Sequence, residues 1–157
     1  MESSQMPETY GFDVAFKLLG SFRRLIDELH NDLATRGFSE ARPIHGFTLQ
    51  AIGPIGINST TLAQRLGVTK QAASKTVAGL IALGYASRSV DPDDARSQIV
   101  RRTEPGERLL QLSARFFEEK QEQWILELGR PRYLALLADL DYLAGNSSIG
   151  DLPGWIK

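Results

Sequence analysis

Residues Asn58–Gly84 read NSTTLAQRLGVTKQAASKTVAGLIALG, and their punctuation predicts two helices joined by a tight turn. Asn58 or Ser59 can accept the free N–H groups of a first helix, on which Leu62, Ala63 and Leu66 share one side over about two turns. Gly67 ends that helix, and the chain must reverse within three residues, so Gly67 is expected at positive φ. Thr69 is the expected N-cap of a longer helix, with Ala73, Val77, Leu80 and Ile81 inward, until Gly84 stops it. Two helices separated by three or four residues that include a glycine make the helix-turn-helix pattern.

The second helix has an outward face suited to a nucleic-acid groove. With Ala73, Val77 and Leu80 inward, Lys70, Gln71, Ser74 and Lys75 emerge on the first two turns, where a recognition helix meets base edges. Gln pairs bidentately with adenine, Lys donates to guanine or to phosphate, and Ser allows close approach. At the start of the first helix, the hydroxyls of Ser59, Thr60 and Thr61 beside free N–H groups can hold a phosphate or simply cap the helix. The Thr69 cap stands beside this face and belongs to the same candidate interface.

Beyond Gly84 the pattern turns to strands. Tyr85–Val90 and Gln98–Arg102 flank the turn-rich run Asp91-Pro92-Asp93-Asp94-Ala95, which predicts a β-hairpin with a long loop. Arg96, just past that turn, is placed to enter a minor groove, whose negative potential rewards a cation, and Asp94 can orient it beforehand.

Long amphipathic helices surround this head. Phe12, Phe16, Leu19, Phe22, Ile26, Leu29 and Leu33 recur at steps of three and four, with Gly37 as a left-handed cap beyond them. Pro43 opens a shorter helix through about Ile52, broken by Gly53, Pro54 and Gly56. Another helix starts near Pro105 and carries Leu109, Leu112, Phe116, Trp124 and Leu128 to Gly129. A last one runs from about Pro131 through Leu134, Leu137, Leu140 and Leu143 to Gly145, before the tail Asn146–Lys157. The division is residues 1–37 as an N-terminal dimerisation helix, 38–104 as a DNA-binding lobe and 105–157 as C-terminal dimerisation helices and tail.

Composition removes whole classes. The chain has 157 residues, 42% hydrophobic and 24% charged, an ordinary globular balance. The absence of cysteine excludes disulfides, cysteine-liganded zinc, a thiol nucleophile and a thiol switch. His30 and His45 lie fifteen residues apart and form no metal-binding spacing, so neither a metal nor a cofactor is expected. No GxGxxG, GxxxxGK[ST] or GxSxG run occurs, and no catalytic residue is assigned; the protein is read as no enzyme. Apolar runs are too short for a membrane span and Met1–Thr9 lacks a signal-peptide pattern, so a cytoplasmic protein without a membrane partner is expected. The net charge is −1, yet Ser59–Arg102 holds seven basic residues against three acids, a local +4.

The run Leu62-Ala63-Gln64-Arg65-Leu66-Gly67-Val68-Thr69, then Gly84-Tyr85, then Asp91 to Ser97, then Thr103-Glu104-Pro105-Gly106 resembles the winged helix-turn-helix core of the MarR family of bacterial transcriptional regulators. The resemblance is dense over Ile57–Leu110, and its most specific part is Asp94-Ala95-Arg96. It implies a homodimer built from terminal helices, two lobes on a pseudo-palindromic double-stranded operator, and often a small-molecule effector between dimer helices and lobe. The effector pocket has no residue motif to carry over. Ala95, where many members have another basic residue, departs from the pattern. The fold expected is thus mainly α with a small β-hairpin wing, and the function that of a repressor released by a small organic ligand. The alternative is a winged-helix module that docks protein or dimerises without specific DNA binding.

Overall fold

The core forms where the amphipathic stripes converge. Leu33, Leu49, Ile52, Leu62, Val77, Leu80, Val100 and Leu109 are each at most 1% exposed and belong to one continuous apolar cluster. A computed structural model of the chain describes residues 11–92 and 97–145. In order these form α1 (Asp13–Thr35), α2 (Pro43–Ile52), β1 (Ile57–Asn58), α3 (Ser59–Arg65), α4 (Lys70–Ala82), β2 (Ala86–Val90), β3 (Gln98–Arg102), α5 (Glu104–Leu128) and α6 (Arg130–Ala144).

The helix-turn-helix closes as its sequence dictates. Asn58, rather than Ser59, is the N-cap of α3, its Oδ1 accepting the Thr61 N–H at 2.8 Å. Gly67 takes φ +60°, and the Val68 N–H then reaches back to the Ala63 carbonyl at 3.1 Å. An L-residue in that conformation loses about 1–2 kcal/mol, which glycine avoids. Thr69 Oγ1 accepts the Ala72 N–H at 3.1 Å and starts α4. Ala73, Val77 and Leu80 are buried, whereas Ile81, expected on the same face, is exposed. The next residue in a helix turns by about 100°, and the seam on Leu80 leaves Ile81 outside it.

The hairpin pairs antiparallel with Arg88 opposite Val100, and Asp91 donates its N–H to the Ser97 carbonyl at 2.9 Å where the two strands meet the loop. A third strand joins it, because Ile57 and Asn58 pair with Val100 and Ile99 to give the order β1-β3-β2. Tyr85 lies just outside β2 and packs its ring against Phe38 in the core.

The join between wing and α5 is a close backbone approach. Thr103 caps α5 by accepting the Gly106 N–H, and its hydroxyl donates to the Gly84 carbonyl. The Thr103 N–H donates to the Tyr85 carbonyl at 3.1 Å. A Cβ on Gly106 would stand 2.1 Å from that same carbonyl oxygen, so the first turn of α5 fits only because residue 106 has no side chain.

The terminal helices are only partly used. Ile26, Leu29 and Leu33 of α1 and Leu109 and Phe116 of α5 enter the core, and Lys120 of α5 pairs with Glu28 of α1 at 2.5 Å. Toward the outer ends apolar residues are exposed: Phe12 just before α1, Val14, Phe16, Leu18 and Leu19 on it, and Leu134, Leu136, Leu137, Leu140 and Leu143 on α6. Trp124, expected on the inner stripe of α5, is also exposed. Among the described residues no helix is long and apolar enough to cross a membrane.

Candidate nucleic-acid interface

The structure brings most of the sequence-assigned face together on α4 and the start of α3. Lys70, Gln71 and Lys75 are exposed and Ser74 is half-buried on the first two turns of α4, above the buried Ala73, Val77 and Leu80. Among the described residues no acid lies within 4.0 Å of the Lys70 or Lys75 ammonium. Thr69 is exposed but its oxygen is taken by the cap. Ser59 is half-buried and Thr60 exposed, in the first turn of α3. Asp94 and Arg96 lie outside the described residues.

The electrostatics of α4 run against helix stability. Its first turn holds no acid and begins with Lys70, where the positive end of the macrodipole favours a negative group by about 0.3–1 kcal/mol. A cation placed there is destabilising until an anion arrives, which is the condition a phosphate or an acceptor-rich groove supplies.

Not all of the lobe's basic surplus is free for such a partner. Arg65 Nη1 donates to the Ala51 carbonyl at 3.0 Å. Arg102 Nε donates to the Leu49 carbonyl at 2.7 Å and Nη2 to the Gln50 carbonyl at 3.3 Å, while Nη1 faces the Glu107 carboxylate at 3.2 Å. These carbonyls end α2, whose last turn contains no basic residue of its own, so cations from α3 and β3 satisfy them instead. Arg101 Nη1 donates to Ser89 Oγ at 2.8 Å across the hairpin, and Arg88 on β2 is exposed. Counting charge along the sequence could not separate these two groups; a hint lay in α2 ending at Gly53 without a cation.

The histidines are structural groups beside a small cleft. His45 Nδ1 accepts the Arg42 N–H at 3.2 Å, fixing the start of α2, and its ring meets Tyr85 edge-on. Burial holds its pKa below the usual imidazole value, helped by the charge of Arg42 and by His30. Burial also lowers His30, against the opposing pull of Asp27 and a backbone hydrogen bond at Ala41. His30 Nδ1 is buried without a partner among the described residues. It lines a cleft of about 40 Å³ between α1, α2 and α5, together with Leu29, Phe47, Gln50, Leu109 and Phe117. That space admits a water or two and no organic molecule. Among the described residues no cluster could hold a metal ion.

A recognition-type helix over a three-stranded wing, carried between long helices, defines a winged helix-turn-helix protein. Residues 43–97 match the model of the MarR family. Solved structures of similar fold include the transcriptional regulator Tm0710 from Thermotoga maritima, at 26% identity and TM-score 0.58, covering 84% of this chain and 92% of that one. FabT from Streptococcus pneumoniae in complex with DNA matches at 19% identity and TM-score 0.69, over 83% of this chain and 92% of its own. PcaV from Streptomyces coelicolor in complex with its natural ligand matches at 16% identity and TM-score 0.62, over 94% and 100%. Comparison with curated proteins finds no match.

Proposed function

We propose that the protein is a homodimeric, sequence-specific DNA-binding transcriptional regulator of a bacterial cytoplasm, a repressor released by a small organic ligand. The observation that carries this reading is the exposed first two turns of α4, with Lys70, Gln71 and Lys75 lacking acidic partners among the described residues above a buried Ala73, Val77 and Leu80 seam. Lys70, Gln71, Ser74 and Lys75 take the major groove, Ser59, Thr60 and the Thr69 turn lie along the phosphates, and Arg96, ordered by Asp94, takes the minor groove. Residues 38–104 serve as the reading lobe, with 1–37 and 105–157 as dimerisation regions. The outward apolar residues of α1 and α6 support a second copy there, since contiguous exposed apolar surface marks an interface. Two lobes related by a two-fold axis read a pseudo-palindromic duplex. A ligand at the cleft beside His30 would have to part α1, α2 and α5 to enter, and that displacement is how it would release DNA.

The test is selection of duplexes from a random pool by the purified protein, followed by mobility shift. The expected result is an enriched sequence with two related half-sites about one helical turn apart. Equal, weak retardation of selected and random duplexes would instead favour the protein-docking module.

A further inference from the structure

Arg102 is the last residue of the wing strand β3, and its side chain is only 13% exposed. It joins its own strand to two helices at once: the Leu49 and Gln50 carbonyls of α2 at 2.7 and 3.3 Å, and the Glu107 carboxylate of α5 at 3.2 and 3.4 Å. The guanidinium fork is thus used on all three nitrogens, which leaves little of it for a phosphate. By charge alone Arg102 counts toward the basic surplus of the lobe, yet its geometry spends that charge inside the protein. Resting on the DNA-binding reading above, we infer that Arg102 is a positioning residue for DNA binding: it ties β3 to the end of α2, with Glu107 holding its guanidinium, and does not touch DNA.

The mechanism follows from what each partner carries. β3 is the central strand of the sheet, paired with β1 on one side and β2 on the other, so its tilt sets that of the wing. β1 runs directly into α3, the first helix of the helix-turn-helix. Arg65 of α3 grips the next carbonyl of the same α2 terminus, so both halves of the reading head hang from one helix end. Loss of Arg102 frees the wing to tilt against α4, and the two contact surfaces no longer fit one duplex together.

Lysine separates positioning from phosphate contact, because it keeps the charge but cannot fork between two carbonyls and a carboxylate. Wild type, Arg102→Lys, Arg102→Gln and Glu107→Gln are titrated onto a duplex selected by the wild type, over a range of salt, at a temperature where circular dichroism shows each folded. Arg102→Lys and Arg102→Gln are both expected to weaken binding about tenfold, the size of a lost charged hydrogen bond, with the slope of log affinity on log salt unchanged. Glu107→Gln is expected to weaken binding too, although removing an acid from a DNA-binding lobe should tighten it on charge grounds. Wild-type affinity for Arg102→Lys, a salt slope reduced by about 1 in Arg102→Gln, or tighter binding by Glu107→Gln each overturns the inference while leaving DNA binding intact. A wild type that retards no duplex overturns the DNA-binding reading and this inference with it.

Discussion

Alanine at position 106 would ordinarily strengthen a helix by about 1 kcal/mol over glycine. Here the added methyl would meet a backbone oxygen at 2.1 Å, and backbone cannot swing aside as a side chain would. Gly106→Ala is therefore expected to destabilise the protein by about 1–3 kcal/mol net, read as a lower melting temperature. An unchanged or raised melting temperature would show that α5 can lift off Tyr85 without loss. The two histidines set a second expectation. Both resist protonation when folded, chiefly through burial, while the unfolded chain takes up those protons near pH 6.5. Below that pH the unfolded state binds more protons, so stability is full above about pH 6.5 and declines as the pH falls toward the lowered folded values. Melting temperature should fall from pH 7.5 to 5.5, and less so in His30→Gln/His45→Gln, where glutamine at position 45 can still reach the Arg42 N–H. The same slope in both proteins would assign the loss elsewhere. Glu28, whose pKa is lowered by hydrogen bonds from Lys120 and then Arg24, acts in a separate window below its ordinary 4.5.

At the scale of the element, α4 offers chemistry that can be separated residue by residue. Lys75→Ala should weaken selected and random duplexes alike and reduce the salt slope by about 1, whereas Gln71→Ala should cost about 1–3 kcal/mol mainly on the selected site. Mobility shifts on both duplexes check this, and no effect from either change would mean that another face of α4 reads DNA. The helix itself was legible because its signals are local: a threonine cap, a three-and-four spacing and a glycine stop fall within sixteen residues of each other. The two-residue strand β1 was not, since Ile57-Asn58 is too short to show alternation and owes its state to β3, some forty residues on. The roles of Arg65 and Arg102 are not legible in the sequence for the same reason. Their partners lie 14 and 53 residues away, and no spacing rule links an arginine to the carbonyls of a distant helix end. Ile81 shows a finer limit: periodicity found the stripe, but only the packed neighbours decide which edge of it is covered. The apolar stripes toward the outer ends of α1 and α6 satisfied the helical pattern yet stay exposed, because amphipathicity does not say what the apolar face meets.

For the whole molecule, the expectation is a dimer at micromolar concentration by sedimentation, and dissociation on Leu137→Asp/Leu140→Asp with helicity retained. A wild type sedimenting as a stable monomer would show that the outer apolar faces of α1 and α6 do not bring two copies together. The seat of α5 on Tyr85 has a mechanical side. With 25 residues at 1.5 Å each, α5 is about 37 Å long and is anchored at its start by a contact with no side chain to compress. It behaves as a lever on a hard fulcrum. A tilt of about 5° at Gly106 moves the far end by about 3 Å, comparable to the rise of one base pair, against the roughly 34 Å that separates successive turns of a duplex groove. Viewed from the far end, holding α6 still and tilting α5 by the same angle swings the reading head through that arc. In the proposed dimer, such a tilt would shift each head by about the rise of one base pair along the duplex.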